Sequence, residues 1–255
     1  MNRFEGRRVL VTGAGSGIGQ ATVARILAEG GVVAAADVSA DGLEVTRQRA
    51  EDAGAGDRLS TVVVDISDET SVRDNVGGAI ERLGGLQVLI NAAGILRSAH
   101  TAEMSLDFWN TMIGVNLTGT FLVTRQALPA LLDNGQGVVV NFSSTSAHFA
   151  HPYMAAYAAT KGGIRSFTHA IALEYAKQGL RAVAVEPGSI ASGMTSNPGF
   201  PEQGVDPTLI GKLYPWIGEG FAPPEDVAGV IAMLASDDGR FVTGTEIRID
   251  GGTHM

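Results

Sequence analysis

The chain has 255 residues, no cysteine and a formal net charge of -9. Its length suits one α/β domain with a buried core, and its acidic balance excludes the basic surface needed for non-specific binding to nucleic acid or an anionic membrane. From this charge we expect a small-molecule partner, no nucleic acid and no membrane. The lack of cysteine excludes disulfides, thiolate nucleophiles and Cys-ligated zinc.

Short runs rich in Val and Ile alternate along the chain with longer segments of helical spacing. The runs are predicted to be strands buried on both faces, at residues 9–12, 32–37, 61–64, 88–91, 137–142, 181–185 and 246–249. The helical segments cover residues 18–29, 43–53, 71–83, 108–132, 155–177 and 224–235. Because strand and helix alternate, we predict one domain over residues 1–255, with a doubly wound, Rossmann-type sheet of seven mostly parallel strands and helices on both faces.

A glycine-rich turn joins the first strand to the first helix, with the sequence Thr-Gly-Ala-Gly-Ser-Gly-Ile-Gly at residues 12–19. At a helix N-terminus, such a turn lets backbone N–H groups and the positive end of the helix dipole approach a pyrophosphate. Strand, glycine turn and helix follow in the order of a dinucleotide-binding unit. The alternative is a strand-to-helix turn that binds no ligand.

The second strand ends at Asp37, about twenty residues past the glycine turn. A carboxylate there can accept hydrogen bonds from the ribose hydroxyls of adenosine, and it would repel a 2′-phosphate. The turn offers no cation for that phosphate, since Ala14, Gly15 and Ser16 occupy it. These features favour NAD over NADP; the alternative is that Asp37 only caps the next helix.

Tyr157 and Lys161 are four residues apart in a helical segment, so they share one face of the helix. A tyrosine acts as general acid or base when its pKa falls from about 10 toward neutrality, and a nearby ammonium or a cationic nicotinamide ring lowers it. Ser144 follows the fifth strand and offers a hydroxyl to a substrate oxygen. Both elements would end at the carboxyl edge of the sheet, where ligands bind in such folds. The alternatives are a surface pair and a turn cap.

With these features the sequence resembles the short-chain dehydrogenases/reductases of the compact single-domain kind, over essentially the whole chain. The motifs that carry the resemblance are Thr12-Gly-x-x-x-Gly17-Ile-Gly19, Asp65, Asn91-Ala-Ala-Gly94, Asn116, Ser144, Tyr157-x-x-x-Lys161, Pro187-Gly188 and Asp250-Gly251-Gly252. The sequence departs from the family at Ala92, where a second asparagine is common, and at Ser192, where threonine is common.

The resemblance implies an NAD(P)-dependent enzyme that acts on CH–OH groups. Tyr157 would give a proton to a carbonyl in reduction and accept it from an alcohol in oxidation. Lys161 would lower the pKa of that tyrosine and hold the nicotinamide ribose. Ser144 would orient the substrate oxygen, and Asn116 would hold a water in a proton relay to Lys161.

The cofactor-binding residues are predicted from the glycine turn, the acid and the resemblance together. They are Gly13, Gly15, Ser16, Gly17, Ile18, Gly19, Asp37, Val38, Asp65, Ile66, Asn91, Ala92, Ala93, Gly94, Tyr157, Lys161, Pro187, Gly188, Ile190 and Ser192. By the resemblance, Asp65 and Ile66 would bracket the adenine, and Asn91 and Gly94 would line the cleft. A group formed by Pro187, Gly188 and Ile190 would border the nicotinamide.

An irregular stretch at residues 189–224 is predicted to be a substrate-binding lid, because long segments without regular structure are usually functional; the alternative is a surface excursion. A set of apolar residues either lines the pocket of a moderately hydrophobic alcohol or ketone or only packs the lid: Leu96, Phe149, Met154, Met194, Phe200 and Trp216. His148 and His151 are either contacts to a polar substrate group or ordinary loop residues. No metal site is predicted, since no acidic residue lies near them at ligand spacing.

The function favoured by these features is hydride transfer between NAD and a secondary alcohol or ketone. One alternative is a 3-oxoacyl thioester reductase, which would need the NADPH preference that Asp37 opposes. Another is a non-catalytic NAD-binding sensor, which need not keep the serine, tyrosine and lysine.

The sequence also carries predictions of assembly and location. Small side chains at Ala158, Gly162 and Ser166 permit close helix approach, and the resemblance implies a homotetramer; the alternative is packing within one subunit. A strand-type run from Arg8 leaves no room for a signal sequence, and no apolar run reaches the length of a membrane span. We therefore expect a cytoplasmic protein.

Overall fold

A single seven-stranded parallel sheet forms the centre of the computed structural model, which describes residues 2–133, 135–196, 198–218 and 220–255. Its strands are β1 (Arg8–Thr12), β2 (Val32–Asp37), β3 (Leu59–Val63), β4 (Val88–Asn91), β5 (Val138–Phe142), β6 (Arg181–Pro187) and β7 (Thr245–Ile249). The strand order is β3-β2-β1-β4-β5-β6-β7, and every neighbouring pair is parallel. The predicted doubly wound fold is confirmed.

Helices cover both faces of this sheet. They are α1 (Gly17–Ala28), α2 (Ala40–Asp52), α3 (Glu69–Ser71), α4 (Gly77–Leu83), α5 (Leu106–Met112), α6 (Gly119–Leu132), α7 (Ala155–Glu174), α8 (Gly193–Ser196), α9 (Pro207–Ile210) and α10 (Pro224–Ala235). A hydrophobic core lies on each face of the sheet, because successive side chains of a strand such as β1 point to opposite faces. Val9 and Val11 pack with α1, α2 and α10 on one face, while Leu10 packs with α4, α6 and α7 on the other.

Two predicted helices contain a π-helical turn. The turn Val72–Val76 joins α3 to α4, and the turn Ile113–Thr118 joins α5 to α6. Such turns shift the register of side chains around the helix and are frequent at functional sites. The second one carries Asn116, which it directs at the backbone of the segment after β4.

The predicted lid, residues 189–224, begins and ends at one place. Ile190 and Ala222 form a parallel bridge, and further hydrogen bonds join Ala191 N to Ala222 O and Ala222 N to Ser189 O. Between these ends lie α8 and α9, which the sequence did not indicate; Asn197 and Glu219 lie outside the described residues. The far end of the lid rests on Gly251, whose backbone oxygen accepts from Trp216 N and Ile217 N.

Candidate active site

A cleft of about 680 Å³ lies at the carboxyl edge of the sheet. It lies between β1 and β4, where the order of the strands along the sheet changes direction. Doubly wound sheets bind their ligands at this position. One part of its wall comes from the glycine turn and the ends of β2, β3 and β4, and another comes from β5, α7, β6 and the lid.

The glycine turn is shaped by close backbone packing. Gly13 has φ +70°, and a Cβ there would lie 2.7 Å from Ala93 N, so only glycine fits. A Cβ on Gly19 would collide with the carbonyl oxygen of Gly13. Ser16 caps α1 without a side-chain hydrogen bond to its first turn, and that turn holds no acidic residue. The helix therefore presents unpaired N–H groups and its positive dipole end, which suits a pyrophosphate.

Asp37 is held in place at the end of β2. Its Oδ2 accepts from Gly15 N at 2.8 Å, and its Oδ1 accepts from Ser39 N at 2.9 Å. The carboxylate lines the cleft beside Val38, which is 68% exposed. Its two backbone donors hold a negative charge at the place where an adenosine ribose would lie.

Ser144 and Tyr157 meet on the opposite wall. Ser144 leaves β5 in an extended conformation, and its Oγ accepts from Ser146 N at 3.2 Å. Burial raises the pKa of Tyr157 to about 12, and a hydrogen bond with the Ser144 side chain offsets only part of that rise. Of the protein groups only the Ser144 side chain lowers this pKa, and the expected lowering by Lys161 stays a prediction.

Lys161 is buried one helical turn beyond the tyrosine. It is 5% exposed, and its Nζ donates to Phe142 O at 2.7 Å and lies 5.5 Å from the centroid of the Tyr157 ring. Burial lowers the pKa of Lys161 to about 8. The ammonium is therefore fixed between the end of β5 and the tyrosine, and it is easily deprotonated for a lysine.

Asn116 is fully buried, and both the oxygen and the nitrogen of its side-chain amide make hydrogen bonds. Oδ1 accepts from Ile95 N at 2.8 Å, and Nδ2 donates to Ile95 O at 2.9 Å and to Thr160 Oγ1 at 3.2 Å. A Cβ on Gly94 would lie 3.1 Å from Asn116 Oδ1 and 3.7 Å from Lys161 Nζ. Asn116 therefore fixes the segment after β4 at the level of the lysine, without itself lining the cleft.

Most of the predicted cofactor residues line the cleft, and two do not. Gly15 lies behind Asp37 and acts through its N–H. Asn91 points away from the cleft into a buried polar row, where its Nδ2 donates to Thr124 Oγ1 and to Asn141 Oδ1, both at 2.9 Å. The others are at the wall: Gly13, Ser16, Gly17, Ile18, Gly19, Asp37, Val38, Asp65, Ile66, Ala92, Ala93, Gly94, Tyr157, Lys161, Pro187, Gly188, Ile190 and Ser192.

The expected substrate residues divide in a similar way. Leu96, Met154, Met194 and Phe200 line the cleft. Phe149 instead stacks on His254, with ring centroids 4.2 Å apart, and Trp216 is 75% exposed outside the wall.

The two histidines between Ser144 and Tyr157 have different surroundings. His151 lines the cleft. His148 does not: its Nδ1 lies 2.9 Å from Glu186 Oε2, and its Nε2 lies 3.5 Å from Glu246 Oε1. His148 therefore ties its loop to β6 and β7 and does not face a substrate.

Several lining residues were not predicted from the sequence. Thr145 directly follows Ser144, and its position next to a predicted catalytic residue could have indicated that it lines the cleft. The lid contributes Ser189, Thr195, Ile210, Leu213, Tyr214 and Phe221, and their irregular spacing gives no pattern from which a lining face could be read. Within the described ranges, no three His, Asp or Glu side chains form a group that could hold a metal ion.

Residues 13–254 match the family model described as enoyl-(acyl carrier protein) reductase. The chain is 37% identical over 250 residues to the 3-oxoacyl-(acyl-carrier-protein) reductase of Thermotoga maritima, with 98% of each chain covered. It is 36% identical over 251 residues to meso-2,3-butanediol dehydrogenase of Serratia marcescens, covering 98% of this chain and 95% of that one. A crystal structure of a dehydrogenase/reductase from Sinorhizobium meliloti 1021 has a TM-score of 0.88 and 30% identity, covering 100% of this chain and 98% of that one.

The fold, the cleft and these matches define a nicotinamide-dependent oxidoreductase that acts on CH–OH groups. The chain belongs to the short-chain dehydrogenase/reductase family. Its reaction is hydride transfer between NAD(P) and an alcohol or ketone. No helix in the described parts of the chain is long and apolar enough to cross a membrane.

Proposed function

We propose that the protein is an NAD-preferring dehydrogenase of secondary alcohols, or reductase of the matching ketones, with Tyr157 as general acid and base. The observation that carries the proposal is the convergence of Ser144, Tyr157 and Lys161 on one wall of the cleft whose other wall is the glycine turn and Asp37. The turn and the uncapped first turn of α1 fit a pyrophosphate, so the residues present fit the cofactor.

The residues of the wall supply the proton chemistry. A bound nicotinamide supplies the carbon that accepts or releases hydride. In reduction, Tyr157 donates its hydroxyl proton to the substrate oxygen while Ser144 hydrogen-bonds to that oxygen; in oxidation Tyr157 accepts the proton. A tyrosine with a pKa of about 12 is a neutral phenol, so the protein alone favours the proton-donating form, and a cationic ring would lower that pKa.

Asp37 supports the choice of NAD. Its carboxylate is fixed by Gly15 N and Ser39 N, where it can accept from ribose hydroxyls and would repel a 2′-phosphate. Among the described lining residues the only Lys or Arg is Lys161, which lies at the catalytic end of the cleft. Nothing in the described glycine-turn wall balances an added phosphate.

A 3-oxoacyl thioester reductase is the second candidate, because a relative with 37% identity bears that name. Such an enzyme would need the NADPH preference that Asp37 opposes. A non-catalytic sensor has no need of a buried serine and a buried lysine beside a tyrosine at the cleft wall.

We further propose a closing lid, a homotetramer and a cytoplasmic location. The lid at residues 189–224 closes over the substrate. This is supported by the lid residues that line the cleft and by hydrogen bonds from three side chains outside the lid, Ser98, His100 and Tyr153. A homotetramer is supported by the resemblance and by the open face of α7, where a Cβ on Gly162 would meet no atom within 4 Å. We place the protein in the cytoplasm.

The testing experiment measures nicotinamide absorbance with secondary alcohols, ketones and a 3-oxoacyl thioester, each with both cofactors. Wild type is expected to prefer NAD. Asp37→Ala and Asp37→Asn should each raise the NADP/NAD ratio of kcat/KM by at least about tenfold, since both remove the charge. The Asn side chain can still accept a hydrogen bond from Gly15 N, so this variant separates the effect of the charge from that of the bond.

Tyr157→Phe should lower kcat by at least about 100-fold with cofactor affinity kept.

Wild-type preference for NADP, with activity confined to the thioester, would replace the proposal by the second candidate. Retained turnover in Tyr157→Phe would remove the tyrosine from its assigned role. Cofactor binding without turnover of any substrate would favour the sensor.

A further inference from the structure

We propose that His151 and Thr145 form a second substrate anchor, which binds a hydroxyl group on a carbon next to the reacting one. The preferred substrates are then vicinal diols and α-hydroxy ketones rather than simple secondary alcohols and ketones. This inference rests on the proposed function, because it takes Ser144 and Tyr157 as the groups that bind the reacting oxygen.

The hydrogen bonds of His151 fix which ring nitrogen carries the proton. Nδ1 lies 3.1 Å from the backbone oxygen of Phe149, and a carbonyl oxygen only accepts, so Nδ1 is the protonated nitrogen. Burial, with a smaller effect of the neighbouring His254, lowers the pKa of His151, and the ring is neutral at pH 7. The Nε2 lone pair is therefore an acceptor at the wall of the cleft.

Thr145 makes only long hydrogen bonds at the same place. Its Oγ1 lies 3.3 Å from His151 Nε2 and 3.5 Å from Pro187 O, whereas O–H···O bonds are commonly about 2.7–2.8 Å. The residue is 1% exposed and lines the cleft. An alcohol hydroxyl has one donor and two acceptor sites, so it can donate to His151 Nε2 and accept from Thr145 Oγ1 at the same time.

The position of the pair sets where the second hydroxyl lies on the substrate. Thr145 follows Ser144 in the chain, and consecutive Cα atoms are about 3.8 Å apart, so we place the second hydroxyl on the carbon next to the reacting one. Beyond it the wall is apolar, with Met154, Phe200 and Leu213. A neutral nitrogen lone pair repels a carboxylate, so the anchor selects a hydroxyl and disfavours an acid at that position.

The test compares cyclohexane-1,2-diol with cyclohexanol as NAD-linked substrates, which differ by one hydroxyl on the neighbouring carbon. Wild type should have a diol-to-alcohol ratio of kcat/KM of about ten or more, the effect of one or two neutral hydrogen bonds. His151→Leu and Thr145→Val should each bring that ratio close to one. In His151→Gln a side-chain oxygen can replace Nε2, so part of the ratio should return.

His148→Leu is the matched control, since His148 lies three residues away in the same loop and outside the cleft wall; it should keep the wild-type ratio. Circular dichroism verifies that each variant is folded, and Thr145→Val carries the test if His151→Leu is not. A wild-type ratio near one, or a ratio unchanged in His151→Leu and Thr145→Val, overturns the anchor while turnover of cyclohexanol still supports the proposed function. Absence of NAD-linked turnover with both alcohols and their ketones overturns both.

Discussion

Lys161 combines burial with a positive charge, and this has a thermodynamic cost. Nζ has one described protein acceptor, Phe142 O, and burial lowers the pKa from 10.5 to about 8. A base whose pKa is lower in the folded state is protonated more readily in the unfolded state. The folded protein is therefore destabilised by this residue below pH 8, and the penalty fades as the pH rises from 8 toward 10.5.

The stability of the protein should therefore rise with pH in a way that depends on Lys161. Relative to Lys161→Met, the free energy of unfolding of wild type should rise by about 2 kcal/mol between pH 7 and pH 9.5. Urea denaturation of both proteins at the two pH values measures it, and staying below pH 10 keeps Tyr157 neutral in the folded protein. Lys177→Met, at an exposed position, controls for the loss of one lysine. Parallel pH dependence of wild type and Lys161→Met would show that the ammonium is not buried as described.

Single residues differ in how far the sequence alone could place them. Gly13, Asp37 and Tyr157 line the cleft as expected, because each lies at a strand end or on a helix face whose position the fold dictates. Phe149 and Trp216 do not line the wall, and hydrophobicity alone could not decide this because it does not say which neighbour a side chain packs against. His254, on which Phe149 stacks, is more than a hundred residues away in the chain.

One residue just before α7, Tyr153, has a strained backbone and is hydrogen-bonded to the lid. Tyr153 has φ +67°, the only positive value among non-glycine residues in the described chain, and such conformations persist where surrounding contacts hold them. Its hydroxyl accepts from Asp206 N at 2.9 Å and donates to Gly204 O at 3.4 Å. Tyr153, two residues before α7, thus also bonds to the middle of the lid.

Tyr153→Phe keeps the ring and removes both hydrogen bonds to the lid. We expect the KM for substrate to rise by up to about tenfold, the effect of losing one or two neutral hydrogen bonds, with a smaller change in kcat. Limited proteolysis should cut the lid faster in the variant than in wild type. Tyr175→Phe, at the other end of α7, is the control. Unchanged KM and unchanged proteolysis would show that Tyr153 does not hold the lid.

The regular elements were predictable because buried strands and amphipathic helices leave strong periodic patterns. Helix α10 and strands β2 and β4 have the predicted bounds, and β6 continues two residues further to Pro187. Other features depend on tertiary contacts. The π-helical turn at Asn116 is fixed by bonds to Ile95, and α8 and α9 are too short for a period to show.

We expect the proposed tetramer to use the open face of α7. Ser166 is exposed, and a Cβ on Gly162 would meet no described atom within 4 Å, so a second helix can approach closely there. Sedimentation equilibrium should give the mass of four chains for wild type and a smaller assembly for Gly162→Arg. Ala176→Arg, exposed just beyond α7, is the control and should stay tetrameric. Equal masses for wild type and Gly162→Arg would exclude this face as a subunit contact.

The support of the lid by Gly251 has a consequence for synthesis. Trp216 and Ile217 bond to a residue that follows β7, so a ribosome must add some thirty residues after the lid before its far end can be fixed. The glycine turn, Asp37 and β1 to β3 are synthesised much earlier. The contact that supports the substrate-facing lid is therefore among the last parts of the cleft that a growing chain can complete.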